Sequence, residues 1–179
     1  MNPNLFLLAL CQGLFLTNNV TFIAINGLVG LSLAPVGWMA TLPVMGYVVG
    51  GALSTGLVAK SQAKWGRRVS FQLGLLVGLL SAMLCAYAAH THNFALLVVA
   101  TVVAGYYSAN GQLYRFAAAE LAEVSFREKA VSWVMAGGLI GAIVGPNLAS
   151  KSKGWFETPF MGAYAVSYTH LTLPTTPYV

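Results

Sequence analysis

The chain has 179 residues, of which 58% are hydrophobic and 7% are charged. Soluble domains carry about a quarter charged residues, so this composition excludes an ordinary water-covered surface and indicates an all-α membrane protein. The net charge of +5 is typical of basic loops on one side of a bilayer, and we expect no nucleic-acid partner.

Five apolar segments are long enough to form complete transmembrane helices, since a spanning helix needs about 20 mostly apolar residues. The basic segment 60–68 is predicted to be a loop between the second and third helices. A sixth helix is predicted to begin at Pro159. The five complete helices are predicted at 5–33, 38–59, 71–89, 94 to about 117, and 130–149.

The basic residues predict the orientation. Seven of the nine Lys and Arg residues follow the second and fourth predicted helices, and only Lys151 and Lys153 lie in the opposite loops. Because positive loops stay in the cytoplasm, we expect a cytoplasmic N-terminus.

Glycines recur at helical spacing in the predicted helices. Gly137, Gly141 and Gly145 share one face of the fifth helix, and Pro146 follows. Small residues let helix backbones approach closely in lipid, and neighbouring helices make a proline tolerable there. The set is therefore predicted to pack and bend the helix.

Three amide side chains lie on one stripe of the first helix. Gln12, Asn19 and Asn26 are seven residues apart, which places them within about 40° of one another at 3.6 residues per turn. Polar groups in a membrane are costly and their placement is informative. They either line a wet cavity or bond to a neighbouring helix.

A second polar face lies on the fourth helix. Tyr106, Tyr107, Asn110 and Tyr114 share one arc of about 100°. This face either stacks on and hydrogen-bonds a planar or polar solute, or packs with its hydroxyls satisfied by neighbours. All four acidic residues lie outside the predicted spans, so a membrane-embedded enzyme is not predicted. No metal or cofactor is expected either.

Two motifs resemble signatures of the major facilitator superfamily. The second half of its cytoplasmic loop signature is matched by Lys64, Trp65, Gly66, Arg67 and Arg68, while Ala63 replaces the usual aspartate. Its fifth-helix signature is matched through Gly141, Gly145 and Pro146. The order of these motifs along the chain, and the side of the membrane on which each lies, also fit the superfamily. The resemblance spans residues 5–164.

The resemblance implies twelve helices in two six-helix bundles that rock about a central solute site. Helices 1 and 4 would line that cavity. It also implies that Glu120 pairs with Arg67 or Arg68 as a cytoplasmic latch, and the cytoplasmic gating candidates are Lys64, Arg67, Arg68, Glu120 and Arg127.

The last residues break the pattern of a membrane helix. The run VSYTHLTLPTT can be back-translated to a transposon adapter that is common in sequencing libraries. We therefore expect residues 1–164 to be an incomplete N-terminal bundle and residues 165–179 to be a non-native tail.

The function expected is transport of a small organic solute in a bacterial inner membrane. The partners would be the lipid bilayer, the solute and a missing C-terminal six-helix half. The alternative is a non-transporting scaffold or receptor-like bundle, in which the polar stripes only hold helices together.

Overall fold

A computed structural model describes residues 3–123 and 126–152. In these residues the chain is helical, which confirms the predicted all-α class for this part of the sequence. The start of the sixth predicted helix and the predicted tail lie outside the described residues. The helices are α1 (Pro3–Leu33), a 3-10 turn (Gly37–Thr41), α2 (Leu42–His90), α3 (Phe94–Gly111), α4 (Tyr114–Leu121) and α5 (Arg127–Ser152).

The predicted loop at 60–68 is wrong. α2 runs through this segment, and only Gly66, at φ 79° and ψ 167°, leaves the helical conformation. Alanine, lysine, glutamine and arginine are good helix formers, so the basic segment extends both flanking helices. Glycine reaches a positive φ without steric cost. We call residues 42–65 the first arm of α2 and residues 67–90 its second arm.

The fourth predicted helix is divided in two. α3 ends at Gly111, and α4 begins at Tyr114 and continues to Leu121. The ring of Phe15 packs directly on Gly111, where a larger residue would overlap it. Glycine is a poor helix former, so the break falls where close packing requires one.

Three stretches of the described residues are long and apolar enough to cross a membrane: Phe6–Leu33, Gly37–His90 and Phe94–Glu120. The second contains 54 residues, which is enough for two crossings of about 20 residues each. α5 is not among these stretches, so the predicted number of five complete spans stays a prediction.

The helix directions alternate as a multi-pass bundle requires. Residue numbers rise together along the first arm and α3, and they run oppositely along the second arm and α3. The contacting pairs are Gly46 with Thr101 and Gly51 with Gly105 for the first arm, and Gly74 with Asn110 and Gly78 with Tyr107 for the second.

Two parallel helix pairs cross at glycines. Gly50 and Gly105 bring the first arm onto α3, and Gly13 and Gly141 bring α1 onto α5. A Cβ atom on Gly50, Gly105 or Gly141 would overlap the backbone opposite. We call these contacts the first-arm crossing and the α1–α5 crossing.

The core between these pairs has two main clusters of buried side chains. One surrounds Phe22 and Tyr47, and the other surrounds Phe15, Tyr107 and Tyr114. Large apolar side chains such as Leu53 face outward, as expected for a surface in contact with lipid.

Candidate functional site

A polar cluster joins three helices beside the first-arm crossing. The Tyr47 hydroxyl of the first arm donates a hydrogen bond to Asn19 Oδ1 of α1 at 2.5 Å. The Ser108 side chain of α3 lies close to Tyr47. Tyr47 is buried, whereas Asn19 and Ser108 are half-buried. The close approach at Gly46 and Gly51 brings Ser108 within reach of the tyrosine.

The α1 stripe predicted from the sequence is divided between different surroundings. Asn26 is buried and its Nδ2 donates to the Phe22 carbonyl oxygen at 2.8 Å, one turn earlier in its own helix. Gln12 is buried against α5 near Gly138. Among the described residues, no group hydrogen-bonds to Gln12 Oε1. Of the three amides, Asn19 is the most accessible.

The Tyr/Asn face of α3 and α4 is largely enclosed. Asn110 accepts a hydrogen bond from Ser70 Oγ at 3.0 Å and donates to the Tyr106 carbonyl oxygen at 3.1 Å. Its side chain rests on Gly74 of the second arm. The bond from Ser70 connects the second arm to α3 across the bundle core.

Aromatic packing accounts for two of the tyrosines on that face. The Phe15 ring makes edge contacts with Tyr107 and Tyr114, with centroids 5.4 and 6.1 Å apart. Asn18, which lies off the predicted stripe, is buried near Tyr107. Tyr106 is half-buried. The packing alternative thus describes the contacts of Tyr107 and Tyr114, and a direct role in solute binding stays a prediction for all four residues of the face.

Sequence reasoning missed the residues that complete these polar contacts. Tyr47, Ser108 and Ser70 lie in mainly apolar helices, where single hydroxyls are common. The signal that could have found Tyr47 is its place between Gly46 and Gly50, because close helix approach leaves a large polar residue few positions.

At the other end of the bundle, Arg67 follows the Gly66 break and its Nη2 pairs with Glu120 Oε1 of α4. Their side chains are 35% and 64% exposed, and an ion pair so exposed contributes about 0–1 kcal/mol. Lys64 lies over the Trp65 ring, with its Nζ 5.3 Å from the ring centroid. Arg68 and Arg127 are exposed. Of the gating candidates, the structure therefore brings Arg67 and Glu120 together.

An apolar groove lies on the outer side of the α1–α5 crossing. Its volume is about 500 Å³. Its lining includes Gly13, Gly137 and Gly141 together with Trp133 and Ile140. The Thr17 hydroxyl in the groove donates to the Gly13 carbonyl oxygen at 2.9 Å. α5 continues through residues 145 and 146, and a bend at Pro146 stays a prediction.

In the described part of the chain, no group of three or more His, Cys, Asp or Glu residues is placed to hold a metal ion. Cys85 is buried, and Cys11 is half-buried. The chemistry of the described site is therefore that of neutral hydrogen-bonding groups and aromatic rings.

Comparisons with known proteins identify the family. The sequence profile of the Major Facilitator Superfamily matches residues 5–166. The riboflavin transporter RfnT of Brucella anthropi is 37% identical over 162 residues, which cover 90% of this chain and 41% of that protein.

Two Bacillus subtilis proteins are also similar. The uncharacterised MFS-type transporter YddS is 32% identical over 63% of this chain, and YdeG is 31% identical over 62% of it. The aligned regions span 26% of either protein. The chain thus spans less than half the length of these curated relatives.

A profile match over most of the chain establishes membership, and the long apolar helices are those of a multi-pass membrane protein. This chain is a multi-pass membrane protein that belongs to the Major Facilitator Superfamily.

Proposed function

We propose that the full-length protein moves a small planar organic solute, with riboflavin as the first candidate, across a bacterial inner membrane. The observation that carries this proposal is the 37% identity to a riboflavin transporter across 90% of the chain. Superfamily membership supports transport rather than catalysis. Movement would follow from rocking of this bundle against a second one that the full-length protein supplies, with the N-terminus in the cytoplasm.

Two partly accessible polar residues of α1 and α3 support a solute of this type. Asn19 and Tyr106 are half-buried, so we propose that they contact the solute directly. The Tyr106 ring can stack on a flat heteroaromatic molecule, and the Tyr106 hydroxyl and the Asn19 amide can hydrogen-bond it. The other candidates form and stiffen the walls of the cavity: Gln12, Asn26, Tyr107, Asn110 and Tyr114.

The test is uptake of radiolabelled riboflavin by a riboflavin-auxotrophic bacterium that expresses the full-length gene. Tyr106→Phe and Asn110→Leu are expected to lower uptake at equal membrane expression. Tyr87→Phe, at an exposed tyrosine of the second arm, is the matched control and is expected to transport normally. Uptake equal to that of the empty vector would rule out riboflavin import.

Efflux is measured in the same cells after preloading. If neither uptake nor efflux of any flavin occurs, and a solute screen shows no other transport, the scaffold alternative replaces this proposal. In that case the polar contacts would only hold helices together.

We also propose that Arg67 and Glu120 latch the cytoplasmic face while the cavity opens outward. Their ion pair joins the second arm to α4, next to the Gly66 break. Glu120→Gln in the full-length protein should raise cysteine labelling of the cytoplasmic face, with Glu123→Gln as the control. Unchanged labelling of both faces together with unchanged transport would rule out the latch.

Finally, we propose that native sequence ends near residue 164 and that residues 165–179 come from translated adapter DNA. The family match, which stops at residue 166, supports this boundary. Sequencing the genomic locus decides the matter, because codons that differ from the adapter across residues 166–175 would show the tail to be native.

A further inference from the structure

Among the residues that the structure describes, the Asn19 amide has a side-chain hydrogen bond at one of its two ends, the oxygen. Tyr47 donates its hydroxyl hydrogen to Asn19 Oδ1 at 2.5 Å, and this bond does not use the two hydrogens on Nδ2. Two other asparagines differ from Asn19. Asn26 donates an Nδ2 hydrogen to the Phe22 carbonyl oxygen. Asn110 uses both its oxygen and its nitrogen in bonds inside the bundle.

We infer that Tyr47 is a positioning residue that turns the Asn19 N–H groups toward the solute and so selects solutes with a hydrogen-bond acceptor at that point. This inference rests on the proposed transport function. It adds a chemical requirement, since a donor at Asn19 recognises a carbonyl oxygen or an unprotonated ring nitrogen. A solute that offers only donors there is rejected.

Tyr47 is held firmly enough to position another side chain. It is 3% exposed and its ring lies 5.1 Å from the Phe22 ring, with the planes at 48°. The surrounding cluster includes Ile25, Leu97 and Ala104. Side chains in close-packed cores sit in defined rotamers, so we expect the Tyr47 hydroxyl to stay at one position.

The bond from Tyr47 also fixes which way the amide faces. A tyrosine hydroxyl has one hydrogen to donate, and here it goes to Asn19 Oδ1. An amide carries its oxygen and its nitrogen on opposite sides of one carbon atom, so this bond leaves the Asn19 nitrogen directed away from Tyr47.

The Tyr47–Asn19 bond is expected to affect which solutes bind more than how tightly riboflavin binds. A site built to hydrogen-bond a solute group discriminates against analogues that lack it, because buried polar groups are then left unpaired. Without the Tyr47 hydroxyl, the amide can turn over and present its oxygen. The site would then accept donor and acceptor solutes more equally.

The experiment uses the full-length protein and measures KM and kcat for riboflavin in proteoliposomes. Competition is measured with riboflavin analogues in which each ring acceptor is replaced in turn. Tyr47→Phe is expected to raise KM about 3- to 10-fold, as for the loss of one hydrogen bond, while kcat changes less than about 2-fold. The variant should also lose the discrimination that the wild type shows between riboflavin and one of the analogues.

Two further variants keep the result interpretable. Asn19→Asp, which removes the donors but keeps the size, is expected to lose riboflavin binding. Tyr87→Phe removes an exposed hydroxyl and should leave KM unchanged. The thermal unfolding of each variant is recorded, so that a folding defect is recognised. If Tyr47→Phe is misfolded, Asn19→Asp decides, because normal riboflavin transport by that variant contradicts a donor role for Asn19.

Wild-type KM and wild-type analogue selectivity in a folded Tyr47→Phe protein would overturn the inference, as would normal riboflavin transport by Asn19→Asp. A wild type that does not transport riboflavin overturns the proposed solute instead. A thermal-shift screen of the wild type then identifies a solute that stabilises it. KM and analogue selectivity of the same variants are measured with that solute.

Discussion

The first-arm crossing and the α1–α5 crossing have the same backbone contact but different surroundings. In either one, two parallel helices meet at glycines that leave no room for a Cβ atom. The first-arm crossing has the Asn19–Tyr47–Ser108 cluster beside it. The α1–α5 crossing has an apolar groove in which the Thr17 hydroxyl donates to a carbonyl oxygen of its own helix. Glycines therefore set how near two helices come, while the side chains next to them decide whether the junction carries polar chemistry.

Adding bulk at the crossings should have the largest effect on stability. Gly50→Leu and Gly141→Leu force side chains into opposing backbone, and overpacking costs about 1–3 kcal/mol or more. Thermal unfolding of the full-length protein in detergent is the measurement. Gly56→Leu is the matched control, because a Cβ atom at Gly56 meets no atom within 4 Å. A Gly50→Leu protein as stable as Gly56→Leu would show that the crossing is not tight.

Removing a hydroxyl should separate bonds between helices from bonds within one helix. Ser70→Ala leaves Asn110 Oδ1 without its donor from the second arm, and we expect a loss of about 1 kcal/mol in unfolding free energy. Thr17→Val removes a bond to a carbonyl of the same helix and should cost less. Chemical denaturation of the two variants tests the order, with the exposed Ser132→Ala as the control. Equal losses for Ser70→Ala and Thr17→Val would contradict the distinction.

The smallest effect on stability is expected far from both crossings, at the exposed pair of Arg67 and Glu120. Arg67→Gln should lower the unfolding free energy by less than about 1 kcal/mol. The difference from wild type should shrink as salt is added, because exposed charges are screened. Melting temperatures at low and high salt measure this, and Lys60→Gln, a nearby basic residue of the first arm, is the control. A large salt-independent loss would mean that the pair is shielded from water in the full-length protein.

The positions of the helices were largely predictable from the sequence, because apolar runs and glycine spacing are local properties. Hydropathy could not locate the end of the first arm, since helix-forming basic residues extend the helix beyond the apolar run to Gly66. Helical periodicity correctly grouped polar residues on faces, but it does not say what lies opposite a face. Tyr107 and Asn110 thus proved to rest on glycines of the second arm. Tyr47 was missed because one tyrosine in an apolar run usually packs without a polar partner.

The break at Gly66 also determines how motion can pass through the bundle. One residue separates two helical arms that run in opposite directions, so no flexible linker lies between them. When one arm tilts, the φ and ψ angles of Gly66 must rotate or the other arm must tilt as well. Arg67 is the next residue, so the charge that pairs with Glu120 is carried along by that rotation. Any change in the angle between the two arms is therefore confined to the φ and ψ angles of Gly66, next to the Arg67–Glu120 ion pair.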